Sequence, residues 1–207
     1  MPYIHLGSTI NTDSLSYKDV LQAYSLGYFP LGEEDGSIVW VTHLPRAVIP
    51  LGKNNLKISR SLKQVINKGK YVVKVDNDFY GVINNCAMFH TPTWITGEIK
   101  RLYLELYNKG FAHSVEAYSD GKLTGGLYGV AFRSAFFGES MFTSESNASK
   151  VCFVKLYDIL EKNRFDLFDV QMITGVTKQF GAVEISSEEY QKKLSVAMKH
   201  TAEFNFK

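Results

Sequence analysis

The stretch FFGESMFTSESNASK, residues 136–150, places one carboxylate inside an apolar run and follows it with a small polar loop. The run around Ala135–Phe142 predicts a central strand, and the segment from Asn147 onward predicts a helix. Burying an ionised carboxylate costs several kcal/mol unless the group is paired or hydrogen-bonded. Glu139 therefore either has partners inside the fold or faces a ligand.

Outward from this stretch, the periodicity predicts a series of helices and strands. From residue 96 the order is helix, hairpin, strand, helix, strand, short helix, strand, helix. Thr96 is a candidate N-cap, the pair Asp120-Gly121 is typical of a hairpin turn, and Ser186 with Glu189 forms a capping-box pattern. This order indicates the α/β (α+β) class with a mixed sheet, and not a doubly wound parallel sheet.

The first half of the chain predicts shorter elements. A helix with a capping-box pattern at Ser16 and Asp19 ends near Gly27, and Pro30 prevents its continuation. The segment that follows predicts a turn and then a short strand near Ile38–Val41. Because HTPT carries a proline between two helical segments, we expect a boundary near residue 90, with a small α/β domain at 1–90 and a second domain at 91–207.

Charge is distributed unevenly along a chain of 207 residues whose formal net charge is only +2. Between Gly36 and Val75 there is no acidic residue, whereas the same stretch carries eight basic ones: Arg46, Lys53, Lys57, Arg60, Lys63, Lys68, Lys70 and Lys74. Such a stretch would attract a polyanion, or it forms a solvated basic face without a partner. Composition leaves both interpretations open.

Several classes of protein are disfavoured by the sequence. Cys86 and Cys152 lie in apolar periodic segments and are predicted to be reduced core residues. The N-terminus lacks the pattern of a signal peptide, and no apolar segment approaches the roughly 20 residues that span a membrane. We therefore expect a cytoplasmic protein. Zinc-ligand spacing, a phosphate-binding glycine loop and a nucleophile elbow are all lacking.

Three features could carry chemistry, and Glu139 is the first of them. The second is the pair Asp169 and Gln171. Because these residues are two positions apart, their side chains lie on the same face of a strand. They could hold an amine there, or they could form hydrogen bonds with backbone groups at the end of the strand. The third is the loop before the helix, whose free N–H groups could hold a phosphate, a carbonyl or a terminal ribose. Alternatively, Ser146 or Asn147 in this loop is simply an N-cap.

With these residues assembled, the chain resembles the bacterial leucyl/phenylalanyl-tRNA–protein transferases. FFGESMFTSESNASK is similar to the family's long G-E-S-M-F-S-x-x-x-N-A-S-K motif. Further similar segments follow in the family's order: AYSLGYFP, VWVTHLPRAVI, ISRSLK, TWIT, GFAHSVEAY, GGLYGVA, DVQ and GAVEI. The resemblance covers most of the chain.

The resemblance implies a GNAT-like C-terminal domain and an aminoacyltransferase that needs no metal or organic cofactor. Such an enzyme moves Leu or Phe, with Met as a third candidate, from aminoacyl-tRNA to the N-terminal α-amine of a protein that begins with Arg or Lys. The product carries a degradation signal of the N-end rule. The resemblance further implies a monomer that binds no membrane.

The resemblance also implies roles for individual residues. Gln171, oriented by Asp169, would hold the attacking amine and help draw its proton, and Glu139 would help hold the acceptor's positive groups. The 3′ end of the tRNA and the aminoacyl group would be bound by six residues: Trp94, Tyr24, Tyr103, Met141, Ser146 and Asn147. Phosphates of the tRNA would be contacted by five: Arg46, Lys53, Lys57, Arg60 and Lys63.

The chain departs from the family pattern near these positions. Leu31 and Val41 stand where the family has tryptophan, Gly97 where it has arginine, and Thr174, Gly175 and Val176 replace its N-D-H. These departures leave open a transferase with altered amino-acid or acceptor specificity, or a tRNA-binding protein without transfer activity. An acyl-CoA donor is disfavoured because TSESNASK lacks the glycine spacing that cradles a pyrophosphate.

Overall fold

The computed structural model describes residues 3–6, 15–89 and 92–206, with side chains described from residue 15 onward, and folds them around two β-sheets. The helices are α1 (Tyr17–Ser25), α2 (Arg60–Asn67), α3 (Phe79–Phe89), α4 (Gly97–Asn108), α5 (Ala148–Lys162), α6 (Gly175–Gln179) and α7 (Ser187–Lys199). The strands are β1 (Tyr3–Leu6), β2 (Phe29–Gly32), β3 (Ile38–His43), β4 (Arg46–Val48), β5 (Val72–Val75), β6 (Ala112–Ser119), β7 (Lys122–Phe132), β8 (Ala135–Thr143), β9 (Leu167–Gln171) and β10 (Val183–Ile185). Within the described ranges, no helix has the length and apolar character needed to cross a membrane.

The larger sheet has seven strands in the order β10-β4-β9-β8-β7-β6-β5. Strands β8 and β9 run parallel, and every other neighbouring pair in this order is antiparallel. The α5 crossover accounts for the parallel pair, because parallel neighbours cannot be joined by a tight turn. The predicted α/β class with a mixed sheet is confirmed, while its GNAT-like character stays a prediction.

Two apolar clusters cover the two faces of the larger sheet. One cluster joins α1, α3, α4 and α7 to the sheet and includes residues of the three-stranded sheet β1-β3-β2. The other joins α2 and α5 to the opposite face. Glycine is required at Gly125 on β7, because a Cβ there would lie 2.5 Å from the Cβ of Ala148. This close approach seats the N-terminus of α5 on the sheet.

The predicted helix starts and the hairpin are confirmed, with a complete capping box at Ser16 and Asp19 and an N-cap bond at Ser186. The Ser16 N–H donates to Asp19 Oδ2 at 2.9 Å, and Ser186 Oγ accepts from the Glu189 N–H at 3.2 Å. Thr96 caps α4, and residues 119 and 122 face each other across the hairpin turn. Cys86 and Cys152 are buried free thiols, as predicted. The segment predicted as a turn after α1 instead contains β2, which pairs with β3.

Both halves of the chain contribute strands to the larger sheet. Strand β4 lies between β10 and β9, and β5 pairs with β6 at the far edge. The predicted domain boundary falls at His90, outside the described residues. The division into residues 1–90 and 91–207 stays a prediction, and the position of β4 brings residues of the first half against the candidate site.

Candidate active site

A pocket opens where the two parallel strands separate. The ladder between β8 and β9 ends at Phe137 and Asp169, and the next residues of both strands line a cavity of about 360 Å³. Apolar side chains form most of its wall: Phe29, Leu31, Trp94, Leu127, Met141, Phe153, Leu156, Phe168, Val170 and Met172. Glu139 and Gln171 give the cavity one polar end, so it combines an apolar wall with a few placed polar groups.

Glu139 is the extra residue of a β-bulge in β8. Tyr128 pairs with Ser140 and Gly129 pairs with Gly138, so Glu139 has no partner on β7. A bulge changes the direction of a strand's side chains and is found often beside active sites. The alternation of residues along a strand gives no sign of a bulge, and the sequence therefore did not predict this geometry.

The carboxylate of Glu139 is hydrogen-bonded on both oxygens. The Tyr103 hydroxyl donates to Oε2 at 2.8 Å, and Gln171 Nε2 donates to Oε1 at 3.0 Å. The hydroxyl of Tyr24 lies 2.6 Å from that of Tyr103 and extends the network away from the pocket. Glu139 thus has partners inside the fold and also faces the cavity.

The surroundings of Glu139 disfavour its charged form. Burial raises the pKa of Glu139 to about 7, and the nearby Asp169 carboxylate also raises it, while tyrosine hydroxyls and Arg46 act in the opposite direction. Burial raises the pKa values of Tyr24 and Tyr103 well above their usual value. Both tyrosines therefore stay protonated and donate hydrogen bonds near neutral pH, whereas Glu139 exists in both forms.

Asp169 is buried with no exposed surface and is bound by Arg46. Arg46 Nη2 lies 2.7 Å from Asp169 Oδ2, and Arg46 Nε lies 3.0 Å from each carboxylate oxygen. Tyr190 donates a further hydrogen bond at 2.7 Å. Burial alone would lower the pKa of Arg46, but the charge of Asp169 keeps it above its usual value. Arg46 is therefore charged, and it forms a fully buried ion pair with Asp169.

The predicted phosphate contact at Arg46 is wrong. Arg46 begins a strand in the interior of the sheet, and its side chain has 0% exposed surface. Its guanidinium lies 5.0 Å from the ring centroid of Phe29 and 4.8 Å from that of Tyr190. A phosphate outside the protein cannot reach it. The apolar residues Ala47 and Val48 that follow Arg46 were the signal in the sequence for a buried position.

Gln171 is oriented by Asp169 through its main chain. The Gln171 N–H donates to Asp169 Oδ1 at 2.8 Å, and Gln171 has a left-handed φ of 63°. This backbone conformation, which is uncommon outside glycine, separates the two side chains that a regular strand would place on one face. Gln171 lines the pocket beside Glu139, whereas the Asp169 side chain is directed to the buried Arg46.

The other predicted pocket residues divide into three groups. Trp94 and Met141 line the cavity directly, and Tyr24 and Tyr103 support Glu139 from the interior. Ser146 and Asn147 lie outside the residues that line it. Asn147 takes the N-cap position of α5 with a φ of 71° but makes no side-chain capping bond. Their predicted contact with the 3′ end of a tRNA stays a prediction.

Four predicted phosphate contacts are exposed, namely Lys53, Lys57, Arg60 and Lys63. The Lys57 N–H donates to the Phe180 carbonyl at 3.1 Å, which places this basic segment beside α6. Residues at the start of α6 line the pocket. A polyanion on the basic segment would therefore approach the cavity from this side.

Tyr128 lines the cavity and was not singled out in the sequence as a candidate site residue. Tyr128 has no exposed surface, and its hydroxyl has no hydrogen-bond partner among the described residues. Burial raises the pKa of Tyr128 well above its usual value, and the Glu139 charge adds to this. A buried hydroxyl without a partner is uncommon and marks a feature of the site.

Comparison with known proteins gives a consistent result. The family profile described as leucyl/phenylalanyl-tRNA protein transferase matches residues 48–195. A leucyl/phenylalanyl-tRNA–protein transferase of Prosthecochloris aestuarii is 44% identical over 194 residues, which cover 92% of this chain and 99% of the relative. The protein of the same name from Ruegeria pomeroyi is 42% identical, over 92% of this chain and 90% of the relative. The one from Chlorobaculum parvum is 41% identical, over 89% of this chain and 96% of the relative. The chain belongs to the leucyl/phenylalanyl-tRNA protein transferase family.

Proposed function

We propose that this chain transfers leucine or phenylalanine from aminoacyl-tRNA to the N-terminal α-amine of a protein that begins with Arg or Lys. The observation that carries the proposal is the Glu139–Gln171 pair at the polar end of an apolar pocket. The aminoacyl ester is already activated, so the enzyme mainly has to hold an amine against the ester carbonyl. No chemical energy source is needed beyond the charged tRNA.

The apolar wall of the pocket is the proposed seat of the aminoacyl side chain. The cavity measures about 360 Å³, and an apolar cavity of about 150 Å³ holds benzene in another protein. A leucine or phenylalanine side chain therefore fits with room for the ester. Because one methylene changes binding in such a pocket by only about 1–3 kcal/mol, we expect graded preference, with methionine accepted less well.

The polar end of the pocket is the proposed seat of the acceptor. The side-chain carbonyl of Gln171 can accept a hydrogen bond from the attacking amine, since its amide nitrogen is already bound to Glu139. Glu139 is the only carboxylate that lines the cavity among the described residues. It offsets the positive charge of an N-terminal Arg or Lys.

The charged tRNA is proposed to lie along the basic segment. Trp94 is half-buried at the pocket and offers an aromatic face on which the terminal adenine can stack. Lys53, Lys57, Arg60 and Lys63 would then contact phosphates without reading sequence. Since one chain supplies every lining residue, we propose that it acts as a monomer, in the cytoplasm where charged tRNA is present.

The test is a matrix of labelled aminoacyl-tRNAs against peptides that differ only at the N-terminal residue. We expect transfer of Leu and Phe to peptides that begin with Lys or Arg, and none to the same peptides with an acetylated α-amine. A Gln171→Ala variant should bind tRNA normally and transfer more slowly. The proposal fails if tRNA binds but no donor and acceptor pair gives a product, which is the behaviour of a tRNA-binding protein without transfer activity.

A further inference from the structure

Aminoacyl transfer to an amine requires a group that accepts a proton. The neutral amine attacks the ester carbonyl, and the new C–N bond leaves an extra proton on nitrogen. When the C–O bond breaks, the departing 3′-oxygen of the tRNA needs a proton. A group that takes the first proton and delivers the second would balance both steps. This inference rests on the proposed function and identifies that group.

Two polar residues near the pocket are poor candidates for the proton acceptor. Gln171 carries an amide, which accepts hydrogen bonds but is not basic enough to hold a proton at neutral pH. Asp169 is a carboxylate, but its oxygens accept from Arg46, from Tyr190 and from the Gln171 N–H. It has no exposed surface and does not line the cavity. Neither residue is equipped to take the proton.

Glu139 combines a basic group with a position in the cavity, whereas Gln171 lacks the first and Asp169 lacks the second. Glu139 lines the cavity on an inward bulge, and it forms no ion pair with a described residue. A carboxylate has about four lone-pair positions. Tyr103 and Gln171 donate to two of them, and the Tyr24 hydroxyl also forms a hydrogen bond with the carboxylate. One position is left for the N–H of an amine held by Gln171, whose amide nitrogen lies only 3.0 Å from Glu139 Oε1.

We propose that Glu139 takes the proton from the attacking α-amine and returns it to the departing 3′-oxygen of the tRNA, with Gln171 as the residue that positions the amine. The C–N bond forms as the proton passes to the carboxylate, and the C–O bond breaks as the carboxylic acid gives that proton to the ribose oxygen. The sum is one amide, one free 3′-hydroxyl and an unchanged enzyme. A pKa of about 7 suits a group that must be both base and acid near neutral pH.

Among the described residues that surround the cavity, Glu139 is left as the group that titrates near neutral pH. Tyr103 from α4, Tyr24 from α1 and Tyr128 from β7 face it, and their pKa values are all raised well above the usual value by burial. Asp169 from β9 and Arg46 from β4 form a buried ion pair. A change of the transfer rate near pH 7 would therefore report the carboxyl of Glu139.

The experiment is single-turnover transfer from Phe-tRNA, preloaded on the enzyme, to a peptide between pH 5.5 and 9. The acceptor carries an aminooxy group in place of the α-amine of its N-terminal lysine, because that nucleophile is unprotonated throughout this range. We expect the wild-type rate to rise with pH through about 7 and then level off, as for a base that must be deprotonated. Glu139→Gln should lower the plateau by about 10²–10⁴-fold and remove the rise.

Two variants separate a proton-transfer role from a structural one. Gln171→Ala should be slower than the wild type but keep the rise near pH 7, because the base is still present. Glu161→Gln removes an exposed carboxylate outside the cavity and should match the wild type in rate and profile. Tyrosine fluorescence and tRNA binding check that Glu139→Gln is folded and loaded.

The outcomes distinguish this proposal from the proposed function. If the wild type forms no product with Leu- or Phe-tRNA and any acceptor, the proposed function fails. If the wild type transfers normally and folded Glu139→Gln keeps both the rate and the rise near pH 7, the role assigned to Glu139 is overturned. The same holds if Gln171→Ala, and not Glu139→Gln, abolishes the rise.

Discussion

Replacing Asp169 by asparagine should destabilise the protein far more than loss of a surface carboxylate. The Gln171 N–H donates to Asp169 Oδ1 and Tyr190 donates to Oδ2, so asparagine keeps an acceptor oxygen for only one of the two and removes the negative charge beside Arg46. Both members of this pair have 0% exposed surface. Breaking a buried ion pair by removing one partner costs about 3–5 kcal/mol, since the remaining charge is left without compensation.

This loss would be measured by urea unfolding followed by circular dichroism. A domain of this kind has a total stability of about 5–15 kcal/mol, so the variant should fold with little margin. With a slope of about 1–3 kcal/mol per molar urea, a loss of this size lowers the midpoint by at least about 1 M. Glu188→Gln is the matched control. Glu188 is 79% exposed and its ion-pair partner Lys192 is 72% exposed, and such surface pairs contribute little to the free energy of unfolding.

A double variant separates stability from catalysis. Arg46→Met with Asp169→Leu removes both charges and fills the space with apolar groups, and such replacements of a buried pair are often neutral or stabilising. The double variant should therefore be more stable than Asp169→Asn. It should still transfer slowly, since the Gln171 N–H has lost its acceptor. The reasoning is refuted if Asp169→Asn unfolds at the wild-type midpoint, or if the double variant is no more stable than the single one.

Three further outcomes follow from the described contacts. Tyr128→Phe removes a buried hydroxyl that has no partner among the described residues. The free energy of unfolding, measured with heat or urea, should therefore stay the same or rise by about 1–3 kcal/mol. A clear decrease in this free energy would show that the hydroxyl has a partner. The pKa of Glu139 in the folded protein, about 7, exceeds its usual value of 4.5, so this group lowers the stability progressively as the pH rises from 4.5 to 7. Glu139→Gln should therefore melt at a higher temperature than the wild type at pH 8 and at about the same temperature at pH 4.5. Equal melting temperatures at pH 8 would contradict the raised pKa. Replacing Lys57, Arg60 and Lys63 by glutamine should weaken tRNA binding at low salt. The slope of the logarithm of the affinity against the logarithm of the salt concentration should become shallower by about one unit for each phosphate contact that is lost. An unchanged slope would contradict these contacts.

The sequence predicted the elements of the second half well, because hydrophobic periodicity and capping residues are local signals. The order of helices and strands after residue 96 and the hairpin at Asp120-Gly121 agree with the structure. The short strands β1, β2 and β4 were missed, although the equally short β10 was predicted. A strand of three or four residues is too short to show an alternation, and its formation depends on distant partners.

The candidate site was predicted in its residue types but not in its connections. Glu139 was singled out because a carboxylate in an apolar strand needs a partner, and the structure supplies Tyr103 and Gln171. The bulge at Glu139 and the left-handed backbone at Gln171 have no local signature in the sequence. Arg46 was grouped with surface lysines because its partner lies 123 residues away.

The position of β4 has a consequence for how the protein is made. Strand β4 leaves the ribosome early, yet both of its sheet neighbours, β9 and β10, belong to the last part of the chain. During synthesis, the ion pair between Arg46 and Asp169 cannot form until Asp169 has been added to the chain. Contacts between residues so far apart in the sequence also form slowly. A nascent chain that stops before residue 167 lacks the strand that carries Asp169 and Gln171. Incomplete chains are therefore expected to be unstable and inactive. Transfer activity should appear only after translation of the chain is complete.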